Sequence, residues 1–152
     1  MNREAINKIL SENELTKSVF LGAYACDKIK NIRGETPYAI IVNTDNSSKS
    51  GSHWVLLYVS KHNIFFFDTF GRNYDDSEMF PADFVKYMKK YIGNRKSEFN
   101  PRILESLLGN ACGQFCLYYL FEKCLDAQQI LKPFTSDLKN NDRFVKRFVK
   151  SM

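Results

Sequence analysis

The spacing of hydrophobic and polar residues predicts four helices and three strands. Apolar residues three and four positions apart predict amphipathic or buried helices. These helices cover residues 2–13, 77–92, 112–125 and 142–150. Short apolar runs rich in β-branched and aromatic residues predict strands. The strands are Tyr38–Asn43, Trp54–Val59 and Ile64–Phe67. Residues 97–109 have no clear period, and Ile103–Leu104 fits either a short strand or a turn.

The second and third strands form a predicted hairpin that has functional consequences. Lys61, His62 and Asn63 lie between them in a connection that is short enough for a hairpin. His53 comes directly before the second strand, and Asp68 directly follows the third. Because antiparallel strands place the start of one beside the end of the other, we expect His53 and Asp68 to lie at the same sheet edge.

Cys112 is the candidate nucleophile, because it begins the most apolar predicted helix. The first N–H groups of a helix and its dipole favour a thiolate at that position. Cys116 and Cys124 lie farther along the same helix and Cys26 lies far upstream, so we expect them to be less activated. A cysteine, a histidine and a carboxylate together supply the nucleophile, base and orienting group of a cysteine protease.

Length and composition argue against a multidomain, membrane-spanning, secreted or zinc-finger protein. With 152 residues, no repeats and no linker, residues 1–152 are expected to form one domain and a monomer. No apolar run reaches the roughly 20 residues of a membrane span, and the first residues do not resemble a secretion signal. We therefore expect an intracellular protein without membrane contact. The cysteines lack zinc-finger spacing, so no metal or small-molecule cofactor is expected.

The net charge of +5 adds a second possible activity. Basic residues concentrate in two of the predicted helices, and such faces can bind phosphate backbones. A solvated basic face explains the same pattern. The candidate DNA-binding residues are Lys86, Lys89, Lys90, Arg143, Lys146 and Arg147.

Several sequence blocks together resemble the adenovirus maturation protease (adenain) family, whose clan includes the SUMO/ubiquitin-like-specific proteases. The resemblance extends in blocks over roughly residues 18 to 121, with the order histidine, acid, cysteine. The blocks are Phe20-Leu21-Gly22, Val42-Asn43-Thr44, Gly51-Ser52-His53-Trp54, Phe67-Asp68-Thr69-Phe70-Gly71 and Asn110-Ala111-Cys112-Gly113-Gln114-Phe115-Cys116.

This resemblance implies an α+β fold: a central mixed sheet flanked by helices, with the catalytic cysteine at the N-terminus of a buried central helix. It implies Cys112 as nucleophile, His53 as general base and Asp68 as its partner. It also implies cleavage of capsid or core precursor proteins during assembly, in the virion and at the intracellular assembly site. The composition fits a relative from another DNA virus, such as a virophage or a Maverick-type element.

The chain departs from the family beside its nucleophile. The family has a Gln six or seven residues before the cysteine, which helps to bind the oxyanion, whereas this chain has Ser106 and Glu105. A charged Glu105 would repel an oxyanion, so Asn110 or Ser106 is expected to assist the Cys112 N–H. Gly113 and Trp54 are the candidate substrate-positioning residues.

Activation is a second departure. No cysteine precedes Glu105 in a position to accept the disulfide-linked peptide that activates the adenoviral enzyme, while DNA stays a candidate activator. Two alternatives remain open: a ubiquitin- or SUMO-like deconjugating protease, and a non-catalytic DNA- or capsid-binding protein with the same fold.

Overall fold

The computed structural model describes all residues 1–152 and has the predicted α+β architecture, a mixed sheet flanked by helices. Five strands lie in the order β1-β2-β3-β4-β5. They are β1 Phe20–Ala25, β2 Tyr38–Asn43, β3 Trp54–Val59, β4 Asn63–Phe67 and β5 Lys96–Phe99. The four helices are α1 Arg3–Glu12, α2 Ala82–Ile92, α3 Cys112–Cys124 and α4 Leu138–Lys150.

The central three strands are antiparallel, and the two outer strands are parallel to their neighbours. In the register of the central pairs, Asn43 lies opposite Trp54, and Leu56 lies opposite Phe67. The beginning of β3 and the end of β4 therefore meet at one edge of the sheet, as the predicted hairpin requires.

Helices cover the two faces of the sheet unequally. The first core cluster joins residues of α1, α3 and α4 to one face, and the second joins residues of α2 to the other. Neighbouring strand residues alternate between these clusters: Leu56 and Phe67 belong to the first, Leu57 and Phe66 to the second. Both faces of the sheet are thus buried, which explains why β2 and β3 are almost uniformly apolar.

Helix α3 is the buried central helix. It has apolar residues on nearly all sides and packs under the sheet, where Tyr119 stacks on Phe67 with 4.8 Å between ring centroids. A helix that is hydrophobic all round belongs in a protein core. No helix of the chain is both long enough and apolar enough to cross a membrane.

The structure differs from the sequence prediction in the starts of two helices and in two additional strands. Helix α2 begins at Ala82 rather than at residue 77, because Pro81 disfavours helical backbone in the residue before it and becomes the N-cap. Helix α4 begins at Leu138, four residues before the predicted start, after Asp137 accepts a hydrogen bond from the Asn140 N–H. Strands β1 and β5 were not predicted.

Candidate active site

His53 and Asp68 lie together at the edge where β3 begins and β4 ends, which confirms their predicted proximity. His53 Nε2 is 2.6 Å from Asp68 Oδ1. The Asp68 side chain is fully buried, and that of His53 is 12% exposed. The ring plane of His53 is also held in place, because Phe70 stacks on one face of the imidazole with 5.2 Å between ring centroids. The ring is therefore held in one orientation, with Nδ1 on the side away from Asp68.

Arg72 binds the other side of the Asp68 carboxylate, a contact that the sequence pattern did not predict. Its Nε donates to Asp68 Oδ2 at 2.8 Å and its second guanidinium nitrogen to Oδ1 at 3.2 Å. The backbone N–H of Arg72 also donates to Oδ2, at 3.1 Å. A bidentate guanidinium holds a buried carboxylate in its charged form and in a defined position. A basic residue four positions after the acid was the only signal in the sequence.

The local charges change the titration of both groups in the pair. Burial alone would raise the pKa of Asp68, but hydrogen bonds from His53 and Arg72 outweigh it and lower that pKa. Burial alone would lower the pKa of His53, but its hydrogen bonds with Asp68 and Cys112 raise it to about 9. The imidazolium form of His53 is consequently favoured at neutral pH.

Cys112 is the first residue of α3 and faces the same edge. The backbone N–H of Trp54, the residue after His53, donates to Cys112 Sγ at 3.4 Å. A ring nitrogen of His53 lies within 4.8 Å of this sulfur. Because Nε2 is bonded to Asp68, Nδ1 is the nitrogen available to the thiol.

The other three thiols have different surroundings. Burial raises the pKa of Cys116 well above the ordinary thiol range, and it raises that of Cys26 to about 12. The pKa of Cys124 is also raised by burial. Cys112 is the one cysteine placed beside an imidazole, so the geometry favours it as the reacting thiol.

Glu105 lies beside this cysteine and histidine and is 3% exposed. Its Oε1 accepts a hydrogen bond from the Thr69 hydroxyl at 2.5 Å, and its Oε2 accepts one from the Ala111 N–H at 2.9 Å. Thr69 follows Asp68 in sequence and Ala111 precedes Cys112, so Glu105 connects the segment that carries Asp68 to the segment that carries Cys112. Its carboxylate oxygen lies within 4.8 Å of Cys112 Sγ.

Helix α4 fixes the loop that precedes Cys112, and this corrects the predicted role of Ser106. The Ser106 hydroxyl donates to buried Asp142, so Ser106 does not supply the oxyanion donor that the sequence suggested. Lys146 Nζ donates to the Gly109 carbonyl at 2.7 Å, so this candidate DNA-binding residue supports the loop. A Cβ on Gly109 would lie 2.2 Å from Asp142 Oδ2, which explains the glycine.

A cleft of about 700 Å³ opens beside Cys112, and Trp54 and Asn110 line it with residues of the 43–52 loop and the start of α1. Asn110 has a left-handed backbone, with φ of 48°, and its side chain is exposed at the cleft. Gly113 does not face open cleft: a Cβ there would lie 3.1 Å from Met1 Cβ. Met1 packs beside Gly113, and the predicted role of Gly113 in admitting substrate backbone stays a prediction.

The two basic helices do not form one surface. Lys86, Lys89 and Lys90 belong to α2, whereas Arg143 and Arg147 belong to α4 on the opposite face of the sheet. Neither helix carries His53 or Asp68, and DNA binding at these positions stays a prediction.

No protein-family model and no curated protein matches the sequence. Solved structures do match the fold. The ASFV pS273R protease matches 98% of this chain with a TM-score of 0.59 and 14% identity. The SUMO protease Ulp1 with its catalytic cysteine oxidised to a sulfinic acid matches 98%, with a TM-score of 0.52 and 14% identity.

The chain covers 66% of the ASFV protease, just under two thirds of its length, and 76% of Ulp1. The adenain relationship and the virophage or Maverick-type origin stay predictions. These neighbours are cysteine proteases of viral and SUMO-specific type, and likeness at this level of identity establishes the fold. The chain has the α+β fold of the SUMO-protease-like cysteine proteases.

Proposed function

We propose that the protein is a cysteine endopeptidase that cleaves viral precursor proteins during virion assembly. The observation that carries the proposal is the placement of His53 between the buried, Arg72-paired Asp68 and the thiol of Cys112. A nucleophile beside a base, with the base oriented by a third group, is the general requirement for this chemistry.

The first half of the reaction forms a thioester. The Cys112 thiolate attacks the scissile carbonyl carbon, and the peptide C–N bond breaks as His53 Nδ1 protonates the leaving amine. Asp68 retains its charge throughout and stabilises the imidazolium. Water, deprotonated by the now neutral His53, then attacks the thioester, and Cys112 leaves as the thiolate.

The developing oxyanion needs hydrogen-bond donors that do not depend on Glu105. The N–H of Cys112 begins α3, where the first N–H groups have no acceptor within the helix. The Asn110 side chain at the cleft is the second candidate donor. Removing one such donor typically costs about 2.7–4 kcal/mol in the barrier.

The adenain-like sequence blocks and the fold shared with the ASFV protease both support a viral substrate. A virion or assembly-site location and a monomeric enzyme follow as parts of the same proposal. DNA is a candidate activator through the basic residues of α2 or α4.

The fold shared with Ulp1 favours a second candidate, a ubiquitin- or SUMO-like deconjugating protease. Fluorogenic ubiquitin-like substrates distinguish it from a protease of viral precursors. The carboxylate of Glu105 next to the reacting sulfur favours a third candidate, a non-catalytic DNA- or capsid-binding protein.

The deciding experiment measures alkylation of Cys112 and cleavage of candidate capsid or core precursors with the same protein preparations. We expect Cys112→Ala to abolish cleavage while the protein stays folded. In wild type, iodoacetamide should label Cys112 quickly near neutral pH, and His53→Ala should slow the labelling. Cys116 and Cys124 are internal controls that should react slowly. Full cleavage by Cys112→Ala would disprove the proposal, and slow labelling of Cys112 would favour the non-catalytic candidate.

A further inference from the structure

Glu105 is a buried acid without a cationic partner, and this distinguishes it from Asp68 nearby. No lysine, arginine or histidine forms an ion pair with it, whereas Arg72 and His53 both pair with Asp68. Each Glu105 oxygen accepts one hydrogen bond, from Thr69 or from Ala111. Each carboxylate oxygen retains a second lone pair, so Glu105 can still bind another group.

Glu105 is one of three neighbouring side chains that each offer a possible metal-ligand atom. A ring nitrogen of His53, a carboxylate oxygen of Glu105 and Cys112 Sγ all lie within 4.8 Å of one another. Zinc ions bind nitrogen, sulfur and carboxylate oxygen at about 2.0 to 2.3 Å, so ligand atoms around one zinc lie roughly 3.3 to 3.8 Å apart. Side-chain movements that shift the ligand atoms by about 1 Å would bring all three within bonding distance of one zinc ion.

The surroundings also meet the other requirements of a zinc site. Metal-binding histidines almost always use their second ring nitrogen to bond a carboxylate, and His53 already does so with Asp68. Arg72 holds that carboxylate in place. Cys112 lies at the cleft of about 700 Å³, which supplies an entry path and room for a water as the fourth ligand.

We propose that His53, Glu105 and Cys112 form a three-ligand zinc site that reversibly blocks the nucleophile. Zn²⁺ bonds to the Cys112 sulfur, to the Glu105 carboxylate and to His53 Nδ1, and the proton shared by the thiol and imidazole is released to solvent. Removal of zinc by a chelator returns the proton and frees the sulfur. The inhibitory meaning of the site rests on the proposed protease activity, whereas zinc binding itself does not.

Zinc titration by calorimetry tests the site, with wild type, Glu105→Gln, Cys112→Ser and the charge-matched control Glu78→Gln. Glu78 is exposed and distant in sequence from the three ligands. We expect one zinc per chain in wild type and in Glu78→Gln. Glu105→Gln should bind at least about tenfold more weakly, a loss typical of a perturbed metal site. Equal affinity of Glu105→Gln and wild type would overturn the proposal, as would a site that survives Cys112→Ser.

Two measurements on the wild-type chain avoid any question of misfolded variants. Co²⁺ should give a thiolate-to-metal charge-transfer band, and zinc should protect Cys112, but not Cys124, from alkylation. An unprotected Cys112 at saturating zinc would overturn the proposal. A chain that binds zinc but cleaves no precursor even after chelation would leave the site standing and remove the proposed function. A chain that cleaves precursors but binds no zinc would do the reverse.

Discussion

The β3–β4 hairpin carries both histidines of the chain, one at each end, in opposite environments. His53, at the open end, is largely enclosed by Asp68, Phe70 and Cys112. His62, at the turn, is exposed. The same residue type on the same pair of strands becomes a candidate base at one end and a solvated side chain at the other. Partners contributed by other segments, rather than the histidine itself, create the difference.

The largest expected effect compares the two histidines directly. His53→Ala should lower kcat for precursor cleavage by about 10⁴-fold, because both proton transfers pass through this ring. His62→Ala should change kcat by less than about twofold, since surface substitutions away from a site are nearly neutral. Steady-state kinetics of the two variants checks this. Equal losses would show that the two ends of the hairpin do not differ in function.

The next effect concerns Asp68, the hydrogen-bond partner that His53 has and His62 lacks. Loss of protonated His53, whose pKa is about 9, should make wild-type activity fall above about pH 9. Asp68→Asn removes a hydrogen bond that raises this pKa while burial continues to lower it, so the alkaline limit should move toward or below about 6.5. The pH dependence of kcat/KM measures the shift. Asp75→Asn, at an exposed position, is the control and should leave the profile unchanged. An unshifted profile in Asp68→Asn would show that Asp68 does not raise the pKa of His53.

A smaller effect is expected at Arg72. Arg72→Met leaves the fully buried Asp68 with His53 and one backbone N–H as partners, and breaking a buried pair costs about 3 kcal/mol. Thermal unfolding should therefore show a lower Tm. Arg72→Lys should recover part of the loss, because lysine keeps the charge but cannot make the bidentate contact. A Tm unchanged in Arg72→Met would mean that Arg72 does not hold the site.

The last effect is the pH dependence of stability, which develops only across a range of pH. The folded-state pKa of His53 is raised to about 9 from an unfolded value of about 6.5. Its stabilising contribution is therefore complete below about pH 6.5 and is lost as pH rises through about 9. Denaturant unfolding of wild type and His53→Gln should converge over this interval, while His62→Gln should parallel wild type at every pH. A constant gap between wild type and His53→Gln would contradict the assignment.

Strands β1 and β5 were not predicted, because their sequences lack the regular apolar pattern of a buried strand. Strand β1 contains Gly22, with φ of 148°, and an irregular register between Phe20 and Gly22, so its buried residues do not alternate. Strand β5 is an edge strand of mostly exposed residues that pairs through its backbone with β4. Parallel pairing with a distant strand leaves no pattern in such a short segment.

The sequence alone determined the elements whose pattern reports burial directly: α1, α3, the three central strands and the hairpin. Since the hairpin fixes which strand ends meet, it also placed His53 beside Asp68, and the apolar run after Cys112 placed that thiol at a helix start. Those are local consequences of periodicity and short connections.

Only the tertiary structure decided what surrounds these groups. It turned Ser106 toward Asp142, brought Arg72 to Asp68, and buried Glu105 beside Cys112. His53, Glu105 and Cys112 have no metal-binding spacing along the chain, so only folding reveals them as a set of ligands. Contacts between distant segments depend on the packing of helices against a sheet, and no local pattern encodes that packing.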